Sequence, residues 1–267
     1  CVVCIDMLIF FIFIGGLFLG SFLGAFTWRI ERGISIAKGR SFCPSCKHTI
    51  SWFDNIPLVS FLLLGGKCRN CHKRISLREP FIELLTGASF VGVFVSYPYI
   101  LSNLPWLQPF GLIGLVFLML LAFLSIGIIV TDIEEMIIPD EFVFTGLLVT
   151  FFVLLFSPSP DLWSRMFVSF ASGSFFLFLN VITKGRGMGL GDVKFALVGG
   201  LLLGYPLVLL WLFMSFVLGA AVGSVLILFK KSSMQAKIAF GPFLVIGMWI
   251  AMLNGNNLLQ YLTPHLF

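Results

Sequence analysis

The sequence predicts an all-α polytopic membrane protein, with about eight transmembrane helices and a small cysteine-bearing insertion after the first. Composition is the first reason. The 267 residues are 59% hydrophobic and only 11% charged, with a mean hydropathy of +1.06, whereas a soluble domain is nearer a quarter charged. Segmentation is the second. A bilayer-crossing helix needs about 20 mainly apolar residues, and apolar runs fall at 7–28, 80–100, 109–131, 141–157, 162–183, 194–204, 206–229 and 238–256. Charge placement is the third. Residues 29–78, 184–194 and 230–237 carry all but one of the 17 Lys and Arg, and Arg165 is the exception. With eight crossings those three segments share one face, which the positive-inside rule makes cytoplasmic, and both termini face outward. The net charge of +5 is therefore accounted for by topology, and no nucleic-acid partner is expected. The expected division is 1–28 as a first transmembrane helix, 29–79 as a cytoplasmic cysteine loop and 80–267 as a transmembrane bundle.

The first run lacks a basic segment before it and a small-residue cleavage site after it, so it is expected to be a retained span. The loop that follows reads "CPSCKHTISWFDNIPLVSFLLLGGKCRNC". Cys43-x2-Cys46 is followed, 21 residues on, by Cys68-x2-Cys71. Each pair offers two thiolates from one tight turn, and two pairs complete a tetrahedral shell for zinc, as in a zinc ribbon. Such a shell has no open position, so its role is expected to be structural. Lys47, Lys67, Arg69 and Lys73 flank it and would offset its negative charge. Two disulfides are the alternative, disfavoured on a cytoplasmic face where thiols stay reduced. His48 and His72 are spare donors, and Cys1-x2-Cys4 is assigned no role. The basic residues of the loop are expected to anchor it to anionic lipid. Glu31 lies within that loop, and Glu79 and Glu83 open the second span, where a helix N-terminus favours negative charge.

The third span ends in "TDIEEMIIPDE", residues 131–141. Asp132 stands where the apolar run stops, Pro139 breaks the helix, and Asp140 is placed to cap the fourth span. The outer connections "SNLPWLQP" and "SPSPD" are short turns, and Asp6 and Asp161 sit at outer helix ends. No internal repeat of the inverted-repeat transporter kind is visible. The sixth run is too short to cross a bilayer of about 30 Å at about 1.5 Å per residue, so it is expected to be tilted, re-entrant or sheltered by its neighbours. Before it stands "GMGLGDVKF", with Asp192 behind three glycines.

Carboxylates at a membrane edge are functional candidates. Asp132 and Asp192 lie in loops expected at the same face, where they could approach each other. Two close carboxylates do not both ionise easily, so one stays charged while the other keeps a proton. The charged group can take a proton from water while the neutral one donates to a scissile carbonyl. Gly189-x-Gly191-Asp192 is the GxGD arrangement of intramembrane aspartyl peptidases. Its glycines are expected to let a substrate backbone come close and to let the chain bend before a helix. Ordinary helix-end caps are the plain alternative. An ion-coupled transporter would hold its carboxylates nearer the bilayer midplane, and a thiol-redox membrane protein would use the cysteine pairs as reversible disulfides.

Taken in order, these stretches resemble the type IV prepilin peptidases (leader peptidase/N-methyltransferase). "GSFLGAFTWRI" resembles the end of the family's first span. "CPSCKHTISWFDNIPLVSFLLLGGKCRNCHKRISLREPFIELLTG" resembles its cysteine segment. "TDIEEMIIPD" and "GMGLGDVKF" resemble its two aspartate motifs, and "FGPFL" near Gly241 resembles a late motif. The departures are small: Ala25 replaces a common Val, Gly24 holds an Asn-like position, and Glu79 replaces a usual Tyr before Pro80. The resemblance implies Asp132 and Asp192 as the catalytic pair, with Gly189, Gly191, Lys194, Pro139 and Asp140 as supporting positions. It implies zinc at Cys43, Cys46, Cys68 and Cys71. It also implies an enzyme of the bacterial inner membrane that cuts the basic leader from prepilins or pseudopilins at the cytoplasmic face. Many members then methylate the new N-terminus with S-adenosylmethionine. Gly65-Gly66, the glycine pair of the loop, reads as a turn, and no methyl-donor loop is visible. Glu134, Glu135 and Glu141 are expected to meet the basic leader.

Overall fold

Each of the eight apolar runs is helical in the computed structural model, which describes residues 2–30, 32–34, 41–158, 161–185, 187–229 and 238–262. Cys1, Glu31, Lys38, Arg40, Arg186, Lys230, Lys231 and Lys237 lie outside the described residues. In chain order the α-helices are α1 (Val2–Ile30), α2 (Val59–Leu63), α3 (Arg78–Asn103), α4 (Leu112–Glu135), α5 (Asp140–Leu155), α6 (Leu162–Ile182), α7 (Leu190–Leu203), α8 (Leu207–Leu228) and α9 (Gly241–Leu262). Extended pairing among the described residues is limited to two isolated bridges. Helices α1, α3, α4, α6, α8 and α9 are long and apolar enough to cross a membrane. The other two long elements are shorter, with α5 at 16 residues and α7 at 14. At about 1.5 Å per residue they reach about 24 and 21 Å. Helix α7 takes the sheltered form, because α5, α6, α8 and α9 all pack on it. Phe195, Ala196, Val198, Leu201, Leu202 and Leu203 are buried.

The chain forms two units, one of Cys1–Val95 with Leu118–Gly127 and one of Ser96–Phe117 with Ile128–Phe267. In the first, α1 meets α3 along a glycine stripe. A Cβ on Gly16 would lie 2.7 Å from the Gly87 Cα, and one on Gly20 2.7 Å from the Glu83 Cα. Small residues one turn apart let two membrane helices touch backbone to backbone. Arg78 ties the pair together, donating to the Gly24 carbonyl at 3.0 Å and the Thr27 hydroxyl at 2.7 Å. Glu83 does more than open a helix. It is buried in the second turn of α3 and accepts the Leu58 N–H at 2.8 Å.

In the second unit α6 and α7 are joined by serines. Ser169 donates to the Leu197 carbonyl at 2.7 Å, and Ser172 to the Ala196 carbonyl at 2.8 Å. Gly200 sits at the contact, where a Cβ would lie 2.7 Å from the Ser169 Cα. Backbone cannot yield there as a side-chain tip can. Gly200→Ala is therefore expected to destabilise the protein by about 1–3 kcal/mol, the usual cost of overpacking. A lowered thermal midpoint in detergent checks it. Arg165, the lone basic residue outside the three charged segments, is a helix cap. It donates to the Leu202 carbonyl at 2.8 Å and the Leu201 carbonyl at 3.3 Å, and its guanidinium lies 5.2 Å from the centre of the Trp106 ring. Those carbonyls end α7 and have no helical partner.

Candidate active site and cysteine cluster

Asp132 lies in the last turns of α4 with 5% of its surface exposed. The helix stops at Glu135, and Met136 adopts a left-handed conformation at φ 55° with its N–H on the Asp132 carbonyl at 3.0 Å. The chain then runs through Ile138 and Pro139, and Pro139 is the residue that precedes α5. Asp140 is the first residue of α5 and makes no cap there, contrary to expectation. Its carboxylate is drawn away to the Lys194 ammonium, 2.6 Å distant.

Asp192 is the third residue of α7, 7% exposed. Its Oδ2 accepts the Gly189 N–H at 2.9 Å, so the carboxylate closes one orphan donor at the helix start. The preceding loop is fixed by Asn180, whose amide donates to the Met188 carbonyl, and by Thr183, whose hydroxyl accepts the Gly187 N–H at 3.2 Å. Neither glycine of the motif takes a positive φ. Gly189 has an ordinary φ of −81°. Gly191 is needed for packing, since a Cβ there would lie 2.9 Å from the Ile138 Cβ. Its bareness lets the first turn of α7 rest on the chain between α4 and α5. The two aspartate segments thus meet twice, at Gly191 against Ile138 and at Lys194 against Asp140.

One residue of the site carries no expectation beyond its motif. The Gly241 N–H, at the start of α9, donates to the Asp132 Oδ2 at 2.7 Å. A Cβ on Gly241 would lie 2.7 Å from that same oxygen, so the approach requires glycine. Phe240 beside it is wedged among aromatic rings, its centroid 5.4 Å from Phe216 and 6.4 Å from Phe176. The other oxygen of each aspartate accepts no hydrogen bond from the described residues, which leaves it available to a water or a substrate. Glu134, Glu135 and Glu141 are exposed around the same helix ends.

The cysteine loop folds as two copies of one turn, displaced by 25 positions. The Cys43 N–H donates to the His48 carbonyl and the Lys47 N–H to the Cys43 carbonyl, each at 2.9 Å; Cys68 with Lys73, and His72 with Cys68, repeat both bonds at 2.9 Å. The Ile50 N–H reaches the Ser41 carbonyl as Ile75 reaches Gly66. Lys47 and His72 hold equivalent left-handed conformations, φ 59° and 56°. The bridges Phe42–Thr49 and Lys67–Arg74 close the two turns. The Sγ atoms of Cys43, Cys46, Cys68 and Cys71 all lie within 4.8 Å of one another, and Cys43 to Cys71 is 3.9 Å. Sulfurs at about 2.3 Å from a tetrahedral zinc are about 3.8 Å apart, so the cluster fits such an ion. The described cysteines are all free. Backbone N–H groups favour thiolates at Cys46 and Cys68, while burial and the neighbouring cysteines push Cys71 up to about 11. The His48 amide pulls the Cys46 thiol down, and those of Cys71 and Asn70 bring Cys68 down to about 7. Arg69 is committed elsewhere, in a two-pronged pair with Asp54 at 2.8 and 2.6 Å, and holds that carboxyl below its usual range. His48 and His72 are exposed and outside the cluster, as is Cys4. Gly65 and Gly66, at φ 56° and 67°, end α2 by donating to the Leu62 and Phe61 carbonyls. They form a turn.

Comparison with known proteins identifies the family. Residues 14–97 match the bacterial peptidase A24 N-terminal domain, and residues 116–224 match the type IV leader peptidase family. A prepilin leader peptidase/N-methyltransferase of Bacillus subtilis is 34% identical over 253 residues, covering 94% of this chain and 96% of the relative. Proteins of the same description from Aeromonas hydrophila and Stutzerimonas stutzeri are 33% and 32% identical. They cover 85% and 82% of this chain, and 76% and 73% of their own lengths. No solved structure matches the chain. Two adjoining family matches and relatives aligned over nearly the whole length make this chain a multi-pass membrane member of the type IV leader peptidase family.

Proposed function

We propose that the protein is an aspartic endopeptidase that removes the leader from prepilins or pseudopilins, with Asp132 and Asp192 as its acid pair. The observation that carries this is the interlock of the two aspartate segments, with one oxygen of each carboxylate held by a backbone N–H and the other open. The ionised aspartate takes a proton from water, and the water oxygen bonds to the scissile carbonyl carbon. The protonated aspartate donates to the carbonyl oxygen. Collapse of the tetrahedral intermediate breaks the C–N bond, and a proton passes to the leaving amine. Gly189, Gly191, Pro139 and the Asp140–Lys194 pair position the two segments. The protein sits in the bacterial inner membrane with residues 29–79 and both aspartates toward the cytoplasm, in keeping with the positive charge there. Helix 1–28 and the 80–267 bundle flank the cysteine module.

The relatives' description extends to N-methylation, so the same chain methylates the exposed amine, with S-adenosylmethionine as donor. Incubation of the reconstituted protein with a prepilin and that donor, followed by intact-mass analysis, tests both steps. A mature pilin bearing one added methyl group supports both. A shortened but unmethylated pilin leaves only the peptidase, and an intact prepilin beside a natively folded enzyme sinks the whole reading.

The cysteine cluster holds a structural zinc. Protein purified under reducing conditions is expected to carry about one zinc per chain, and Cys43→Ser to lose it. Metal analysis decides, and a wild-type protein with reversible disulfides and no metal would favour a redox role.

A further inference from the structure

Between its two cysteine turns the chain presents large apolar side chains outward. Leu62 and Leu63 of α2 are 75% and 81% exposed, and Trp52, Phe53 and Val59 are exposed with them. Ser60 on the same helix is buried, its hydroxyl on the Ile56 carbonyl at 2.8 Å and the Phe53 carbonyl at 3.0 Å. Soluble surfaces seldom gather large apolar groups this way. The backbone of the segment is satisfied internally, with the Ser60, Leu62 and Leu64 amides donating to the Ile56, Leu58 and Ser60 carbonyls. That is the condition for entering lipid.

The depth of α2 is fixed by one bond. The Leu58 N–H donates to the buried Glu83 at 2.8 Å. Glu83 lies five residues into α3, a membrane-crossing helix, or about 7–8 Å along its axis. The start of α2 is therefore beside the second turn of a span and not beyond its end. At that level α3 exposes Phe81 and Leu84, with Leu77 just before it. The Leu58–Glu83 bond thus brings the start of α2 against α3 at the level where these apolar side chains are exposed. Lys67, Lys73 and Arg74 follow α2 in the second cysteine turn and are exposed.

We infer that α2 is an interfacial anchor. Its Val59, Leu62 and Leu63 edge enters the bilayer, while Lys67, Lys73 and Arg74 meet anionic headgroups. The cysteine module then lies against the membrane rather than standing off in water. Helices held this way bury their apolar face about 5–10 Å deep, which matches the level set by Glu83. The inference stands independently of the reaction the protein catalyses.

The test uses the full chain in vesicles of phosphatidylethanolamine and phosphatidylglycerol. The photoreactive residue p-benzoylphenylalanine replaces Leu63, or Phe81 on α3 as a lipid-facing control, or Asn70 at the tip of the second cysteine turn. After irradiation, intact-mass analysis is expected to find phospholipid adducts at position 63 in yield similar to position 81, and none at position 70. Absence of lipid adducts at 63 while 81 labels would overturn the inference. So would crosslinking of 63 to a second copy of the chain. Combined Lys67→Gln, Lys73→Gln and Arg74→Gln is expected to reduce the adducts at 63 roughly twofold or more, since juxtamembrane cations are drawn to an anionic surface. An unchanged yield would overturn the headgroup contact.

Discussion

Asp132→Asn and Asp192→Asn are each expected to abolish leader cleavage in membranes holding the variant at the wild-type level, whereas Asp140→Asn is expected to retain it. Asparagine keeps size and a carbonyl-type acceptor. The Gly189 and Gly241 N–H groups, which donate to the two carboxylates at 2.9 and 2.7 Å, therefore keep a partner in either variant. What is lost is the ability to gain and release a proton. General acid–base catalysis by one positioned group contributes about 10²–10⁴-fold, so each variant should fall by about a thousandfold, or about 4 kcal/mol of barrier. Asp140 differs in kind. It is an exposed partner of an exposed lysine, and such a pair is worth about 0.2–1 kcal/mol. Its loss should slow cleavage less than about fivefold. Processing of a prepilin with time, at matched expression, separates the cases. Full activity in Asp192→Asn would reduce that residue to a helix cap and remove the acid-pair reading. Near-complete loss in Asp140→Asn alone would move the chemistry to Asp140.

The eight candidate spans were legible because each is an apolar run, a signal that needs no tertiary information. The two aspartate motifs and the four cysteines were legible for a similar reason: each pattern lies within a few residues of chain. What escaped depends on partners distant in sequence. Asp140 looked like a cap because it follows Pro139 at a helix start, but Lys194 lies 54 residues away and wins its carboxylate. Arg165 looked like an exception to the charge rule, but it serves carbonyls 36 and 37 residues on. Gly191 suggested flexibility, yet its bareness answers to Ile138 in another segment. The repeat of 25 positions in the cysteine loop was readable from spacing, since Cys43, Cys46 and Ile50 recur as Cys68, Cys71 and Ile75.

Gly241 is the most consequential of these hidden partners, because it reaches Asp132 across 109 residues. Gly241→Ala is expected to lower kcat about a hundredfold with KM changed by less than about threefold. The added Cβ would stand 2.7 Å from the Asp132 Oδ2, 3.1 Å from its Cγ and 3.3 Å from its Cβ. Neither side has an easy retreat. Phe240 is held in its aromatic cluster, and Asp132 is nearly buried near the end of α4. The carboxylate must turn or α9 must back away, and either loses the 2.7 Å hydrogen bond. Displacement of a reacting group by about 1 Å can cost about a hundredfold. The three atoms nearest the added Cβ all belong to Asp132, which is why KM should hold. Gly92→Ala is the matching control, since a Cβ there meets nothing within 4 Å, and it should leave kcat unchanged. A Gly241→Ala enzyme with wild-type kcat would show that α9 does not hold Asp132. A parallel rise in KM and collapse of thermal stability would instead make Gly241 a packing residue of the bundle. A selective fall in kcat, with the melting midpoint kept, is the signature of a positioning residue. It would explain why glycine begins α9 when the two acids lie in other helices.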